Sequence, residues 1–358
     1  MQRAGLWSAT LALAVLASAC SRPAASAGRQ RSEPAAPSYV AQFDTVWTRF
    51  NDVYPSFAYK HVDWTAQRAQ FRPRAQRARS QNELVAVLLE MLRPLRDMHA
   101  YLVDPRGEAV PTFRPATQPN FDRVRWEIAM REANYIARPG SIGDGAIGGF
   151  SYVFVGSWKA PVSDDALDSL LERARYTPGL ILDVRSNAGG SDAVALAFAS
   201  RFTTRSMPAS FVQIRTDPRV LDVEMPLKRT IAPRGLWQYT RPVVILAGRG
   251  GYSATESFVA VMRTLPNVTV IGDTTGGASG NPATYPLRNG WRFTVPRWLE
   301  FGPDRQPIEG RGVAPHVAMT WDPAAYDRER DPLIDAAVGL LGERSGMFRI
   351  MPLPNSAR

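Results

Sequence analysis

Ser253 and Glu256 stand where an apolar run, residues 243–246, meets glycines at 248, 250 and 251 and then a 3.6-residue apolar rhythm at Phe258, Val261 and Met262. That pattern reads as a strand, a tight turn and a helix, with Ser253 at the junction. The glycines let the backbone bend sharply at small steric cost, and the first free amides of the helix, that of Ala254 among them, point toward any negative charge forming beside the serine. Those are the requirements of a nucleophile with half of an oxyanion hole. The same residues also suit an ordinary helix start, in which Ser253 is the N-cap and Glu256 its reciprocal partner in a capping box.

A second glycine turn, R-S-N-A-G-G at 185–190, follows the apolar run 180–184. In an open parallel sheet both turns would lie at the carboxyl ends of strands, where ligands gather. The amides of Gly189 and Gly190 are then candidates for the other half of an oxyanion hole, where one donor can be worth about 3 kcal/mol in the transition state. An unremarkable strand-to-helix turn needing glycine for positive φ would use the same residues. A serine nucleophile also needs a base, near neutral pH usually histidine. The chain has 3 histidines. His61 lies in K-H-V-D-W within a helical region and reads as structural. His99 follows Asp97 where that region meets the next, and His316 sits in G-V-A-P-H at the entry to a strand.

The elements that must position these groups follow from periodicity. Phe43, Val46, Trp47, Phe50, Val53 and Tyr54 have helical spacing, and helical stretches follow at 65–79 and 80–95, so residues 38–104 read as an N-terminal helical domain. Residues 105–144, rich in Pro and Arg, read as an irregular connecting region, in which 123–136 fits a strand or a helix. From 145 to 345 strands and helices alternate: a buried strand within 147–158, a helix at 164–176, strands at 180–184, 243–246 and 268–272, strand-like segments over 291–317 and a closing helix at 332–341. That alternation predicts an α/β fold with a mainly parallel sheet. Residues 346–358 are a tail.

Composition bounds the function further. A chain of 358 residues with 45% hydrophobic content can bury a sizeable core. The net charge of +10 comes almost wholly from scattered arginines, lysine occurring only at 60, 159 and 228, so no nucleic-acid partner is expected. There is no P-loop, no dinucleotide glycine pattern and no cluster of metal ligands, and neither metal nor cofactor is expected. Residues 1–20 read as an export signal: Arg3, an apolar run at 11–16 too short for a membrane span, then A-S-A before Cys20, the single cysteine. L-A-S-A-C is similar to a bacterial lipobox, with Leu16 one position further from the cysteine than usual, so Cys20 is a candidate for lipidation and a membrane anchor. Conventional cleavage after A-S-A is the other reading, and both place the protein outside the cytoplasm. Residues 21–37, rich in Ser, Ala, Pro and Arg, read as a disordered tether.

Five segments together resemble one family. L-R-D-M-H at 95–99, G-L-I-L-D-V-R-S-N-A-G-G at 179–190, G-G-Y-S-A-T-E at 250–256, V-I-G-D-T-T-G-G at 270–277 and P-I-E-G-R-G-V-A-P at 307–315 occur in the order found in the serine peptidases that include carboxy-terminal processing (tail-specific) proteases and the tricorn protease core. The resemblance implies that Ser253 is the nucleophile and that the amides of Ala254, Gly189 and Gly190 form the oxyanion hole. The processing branch uses a lysine base, but the matching position here is Ala278. The tricorn-like branch uses histidine and glutamate, which fall on His99 as general base and Glu309 as the residue that orients it. In tricorn a serine beside the histidine relays to the glutamate; Met98 stands there here, leaving a direct contact, a water or another hydroxyl. His316 replaces a usual aspartate. A crotonase-like (ClpP-like) core is also implied, with peptide or protein substrates. The stretch between His99 and Asp183 is largely committed to core elements, so no PDZ domain is expected.

Two rival readings remain open from sequence. G-Y-S-A-T resembles the nucleophile elbow of α/β-hydrolase esterases, with Asp304 and His316 completing the chain order. Relatives of this fold also include retinoid carriers, so a non-catalytic binding protein is the second rival.

Overall fold

The computed structural model describes residues 38–116, 118–215, 226–319 and 329–345. Cys20, the export signal, the tether and the tail 346–358 lie outside them.

The N-terminal part contains α1 (Tyr39–Val53), α2 (Trp64–Arg77) and α3 (Gln81–Leu92), followed by β1 (Tyr101–Val103) and β2 (Ala109–Pro111). Each helix opens on a short polar side chain, Ser38, Asp63 or Ser80, that accepts a first-turn N–H otherwise left unpaired. Next come α4 (Arg123–Glu132), β3 (Ile136–Arg138), β4 (Ile142–Ile147), β5 (Phe150–Val155), α5 (Asp164–Ala174), β6 (Leu180–Asp183) and α6 (Asp192–Ala199). The stretch 105–144, expected to be irregular, thus holds a helix and an antiparallel pair, β3 with β4. Asp122 caps that helix through the Val124 and Arg125 amides, which resolves the ambiguous rhythm over 123–136. The chain continues through β7 (Met207–Ile214), β8 (Leu227–Ile231), β9 (Val243–Ala247), α7 (Ala254–Met262) and β10 (Val268–Gly272). It ends with β11 (Ala283–Pro286), β12 (Arg292–Val295), β13 (Trp298–Phe301), β14 (Val317–Ala318) and α8 (Pro332–Ser345).

A seven-stranded sheet in the order β14-β10-β9-β6-β5-β4-β3 forms the centre, parallel from β14 to β5 and antiparallel at β4 and β3. Its middle strands are buried on both faces, as parallel strands covered by helices must be. On one face Leu180, Leu182, Val243 and Ile245 pack with Leu167 and Leu171 of α5, Phe198 of α6 and Phe258 of α7. On the other, Ile181, Val244, Leu246 and Ile271 pack with Met130 of α4 and Leu333, Ile334 and Leu341 of α8. The alternation along β6 and β9 is the two-residue period of a strand. Beneath the second face Arg185 is fully buried between Asp183 (2.7 Å) and Asp331 (2.8 Å), joining β6 to the start of α8.

Two smaller sheets, β11-β12-β1-β2 and β13-β7-β8, flank this layer. β1 pairs antiparallel with β12, Leu102 opposite Phe293. Phe293 and Val295 of β12 share one core with Phe43, Phe50, Leu88 and Leu92 of the N-terminal helices. The helices therefore complete their core with residues more than 200 positions downstream, and that pairing presents the segment carrying His99.

Candidate active site

Ser253 ends the turn after β9 and precedes α7. Its backbone, φ 61° and ψ −128°, is not the extended conformation of an ordinary N-cap. A non-glycine residue held there costs about 1–3 kcal/mol, strain that persists only where neighbours impose it. Here the Ser253 N–H donates to Ala278 O at 2.8 Å and to Glu256 Oε2 at 3.2 Å. The second contact is one half of a capping box. The Ser253 side chain also approaches the Glu256 N–H, as the other half of the box requires, but the hydrogen bond of that N–H goes to Ser253 O at 2.8 Å.

Glu256 is fully buried and accepts from Thr275 Oγ1 (2.6 Å), Gly277 N (2.7 Å) and Ala278 N (2.8 Å) besides Ser253. Burial still outweighs these four donors and pushes its carboxyl up to about 7. One side chain thus fastens α7 to the loop that follows β10. That loop in turn holds Glu309: Gly310 N donates to Gly277 O at 2.7 Å and Ser279 N to Glu309 Oε2 at 3.0 Å.

The R-S-N-A-G-G turn lies directly against Ser253. Gly189 has φ +90°, and a Cβ there would stand 2.6 Å from Ser253 Cβ. Gly190 has φ +140°, and a Cβ would meet the Trp158 carbonyl carbon at 2.4 Å. Among the described residues the N–H groups of Gly190 and Ala254 meet no protein acceptor, and both residues line one cleft with Ser253. The Gly189 N–H is taken by Asn187 Oδ1 at 2.9 Å, so of the two glycine amides expected from sequence only that of Gly190 is free.

His99 lines the same cleft of about 600 Å³, with Met98, Tyr101, Tyr252, Trp298 and Ser279. It is buried to 7% exposure, its ring edge-on to Tyr252 with centroids 6.3 Å apart. Asp97 Oδ1 accepts the His99 N–H at 2.8 Å, and Thr294 Oγ1 of β12 donates to the His99 carbonyl. Burial holds the imidazole below its ordinary pKa, with Asp97 pulling the other way. A neutral ring is the form a general base requires. Its Nδ1 is buried and, among the described residues, without a partner, as is Ser279 Oγ on the same cleft wall.

Glu309, 1% exposed, sits behind Ser279. Lys60 Nζ contacts Oε1 at 2.6 Å, and the Tyr59 hydroxyl donates to the Glu309 carbonyl at 2.8 Å. Burial and the neighbouring Asp97 push the carboxyl up to about 8, while Lys60 and the Ser279 N–H pull it down. Asp97 also accepts from Tyr54 OH at 3.1 Å.

Comparison with known proteins identifies the family. Residues 149–319 match the model of peptidase family S41, and residues 38–93 that of the tricorn protease C1 domain. A putative peptidase from Parabacteroides merdae is 30% identical, its structure superposing with a TM-score of 0.75 over 86% of this chain and 97% of that one. This chain belongs to peptidase family S41. It is similar to the carboxy-terminal processing protease CtpA of Bacillus subtilis, 29% identical over 156 residues, or 43% of this chain and 30% of that protein. It is also similar to tricorn protease homolog 1 of Streptomyces coelicolor, 31% identical over 169 residues, or 45% of this chain and 14% of that protein. The matches to these two thus span less than a third of the relatives' own lengths.

The constellation of Ser253, Asp304 and His316 does not form in this S41 chain. Asp304 lines a separate cavity with Arg263 and Gln306. His316 is held at the sheet edge, where its Nδ1 accepts the Val270 N–H at 3.0 Å. His61 takes a left-handed turn conformation, φ 55°, after α1 and does not line the cleft. The residues that sequence reasoning missed are Lys60, Tyr59 and the anchoring role of Glu256. Nothing in the pattern around Lys60 links it to a residue 249 positions away, whereas Glu256 carried a signal, its spacing from Ser253, that fits a cap equally well. Among the described residues no group of three potential metal ligands converges, and no helix is long and apolar enough to cross a membrane.

Proposed function

We propose that the chain is a serine-type endopeptidase that cleaves peptide or protein substrates through an acyl-enzyme on Ser253. The observation that carries this reading is the strained serine facing two unpaired amides, Gly190 and Ala254, in a cleft shared with a buried histidine. His99 takes the Ser253 proton as the hydroxyl attacks the scissile carbonyl. The Gly190 and Ala254 N–H groups stabilise the oxyanion, and His99 passes the proton to the departing amine. His99 then activates the water that releases the acyl group. Glu309 orients the imidazole and stabilises its charged form. With Met98 beside His99, the hydroxyl best situated to join them is Ser279, whose N–H already holds Glu309 and whose Oγ, like His99 Nδ1, is buried without a partner.

The crotonase-like assignment of the core belongs to the same proposal, supported by a mainly parallel sheet whose βα turns carry the site. So does the tricorn-like branch, supported by Ala278 where the processing branch has lysine. Export, with a lipid anchor on Cys20 in the cell envelope, rests on residues 1–20 alone; the intact mass of the mature protein tests it, a diacylglycerol adduct on Cys20 being the expected result.

The test of the chemistry is labelling of the purified protein by a fluorophosphonate probe. Loss in Ser253→Ala and His99→Ala, with weakening in Glu309→Ala, is the expected pattern. Normal labelling of His99→Ala together with loss in His316→Ala would favour the esterase arrangement, and a wild type that never labels would favour a binding protein.

A further inference from the structure

Glu309 is gripped from the far end of the chain. The turn between α1 and α2 brings Lys60 Nζ to 2.6 Å from Glu309 Oε1, while the adjacent Tyr59 hydroxyl donates to the Glu309 carbonyl at 2.8 Å. Lys60 is itself secured by the Arg96 carbonyl at 3.3 Å, three residues before His99. The ion pair is nearly dry, its side chains 10% and 2% exposed. Such a pair is rarely a net source of stability, because desolvating two charges costs about what their attraction returns. What it does supply is geometry and charge. Both Glu309 oxygens are fixed, Oε1 by Lys60 and Oε2 by the Ser279 N–H.

We propose that Lys60 is a positioning residue of the catalytic centre, aiming Glu309 and favouring its ionised form, so that the N-terminal helices complete the active site and do more than pack against it. This rests on the reading of Ser253, His99 and Glu309 as the catalytic set. Lys60 acts only through Glu309, and it contacts no cleft surface. The charged and titratable groups around the carboxylate are Lys60, Asp97 and, beyond Asp97, Tyr54. Two buried carboxylates within range of one another favour protonation of one of them, and Lys60 opposes that. The Asp97 carboxylate accepts the His99 N–H and the Tyr54 hydroxyl, whereas Glu309 is the carboxylate in contact with Lys60.

The test measures the fluorophosphonate labelling rate against pH in Lys60→Met, Lys60→Arg, Glu309→Gln and the double variant Lys60→Met/Glu309→Gln, with thermal melting to verify folding. Lys60→Met is expected to slow labelling about 30-fold at pH 7, equivalent to about 2 kcal/mol of lost positioning and charge. Its rate should recover as pH rises, because more base is then needed to ionise Glu309. Lys60→Arg should keep most of the rate and the wild-type profile. In the Glu309→Gln background, Lys60→Met should cost nothing further, since the group it acts on is gone. If Lys60→Met labels like wild type, or slows equally at every pH, or adds its full loss to Glu309→Gln, the proposal is overturned. Should Lys60→Met not fold, the double variant and Lys60→Arg carry the same decision. Wild-type labelling by Glu309→Gln would instead overturn the triad reading itself.

Discussion

Gly189 and Ser253 are in contact across the two glycine turns: a methyl group on Gly189 would lie 2.6 Å from Ser253 Cβ and 2.8 Å from Tyr252 O. The closeness explains why a positive-φ glycine stands there, and it ties the R-S-N-A-G-G turn to Ser253.

Gly189→Ala is therefore expected to push Ser253 out of line. A displacement near 1 Å can lower rates about 100-fold. Fluorophosphonate labelling should fall by that order, while circular dichroism retains the folded spectrum.

The pH profile should carry the mark of Glu309. Burial lowers the His99 pKa from 6.5, so the imidazole stays neutral, and available as base, to lower pH than a free one. Glu309 is pushed up to about 8 and is ionised only as pH rises through that range. Labelling of the wild type should accordingly climb between pH 7 and 9. Glu309→Gln should be slower and flat over that interval, with its remaining acid limb below pH 6.5.

Glu256 makes a prediction about stability. Its folded pKa of about 7 lies above the ordinary value of 4.5, so the folded state holds this proton where the unfolded state has released it. The contribution is complete below pH 4.5 and is lost as pH rises through 7. Differential scanning calorimetry of wild type and Glu256→Gln should show the melting-temperature difference shifting in favour of the variant between pH 5 and 8. At pH 5 the variant should be the less stable, because its amide group faces the N–H donors that the carboxyl now accepts.

Asp331→Asn tests the buried cluster under the sheet. It leaves Arg185 with one carboxylate partner, and breaking such a buried network costs about 3–5 kcal/mol. Urea unfolding should show that loss, with labelling kinetics of the remaining folded protein unchanged.

His316→Ala should leave labelling at the wild-type rate, because the imidazole lies at the sheet edge, bonded to the Val270 amide. Loss of that one hydrogen bond is worth about 1 kcal/mol in unfolding measurements.

Much of this protein was written in local pattern. The two strand-glycine-helix units, the parallel sheet they imply, the helical N-terminus and Ser253 at a junction all follow from short-range periodicity and turn chemistry, because strands buried on both faces and capped helices impose their own spacing on the residues. Resemblance across five motifs added His99 and Glu309 as partners for the serine. What remained out of reach depended on contacts between distant segments. Residues 123–136 carried two rhythms at once, and the Asp122 cap together with the packing of Met130 on the sheet selected a helix over 123–132. Capping and nucleophilic readings of Ser253 used identical letters; the difference is a φ of 61°, imposed by Ala278 and Glu256. Gly189 and Gly190 looked alike as donors until Asn187 took one amide. Lys60 became part of the site because the N-terminal helices complete their core on Phe293 and Val295, which carries the turn after α1 onto the loop holding Glu309. Element type and order come from interactions within about a dozen residues, which a sequence displays directly; the charge and aim of a buried carboxylate come from groups the chain brings together only on folding.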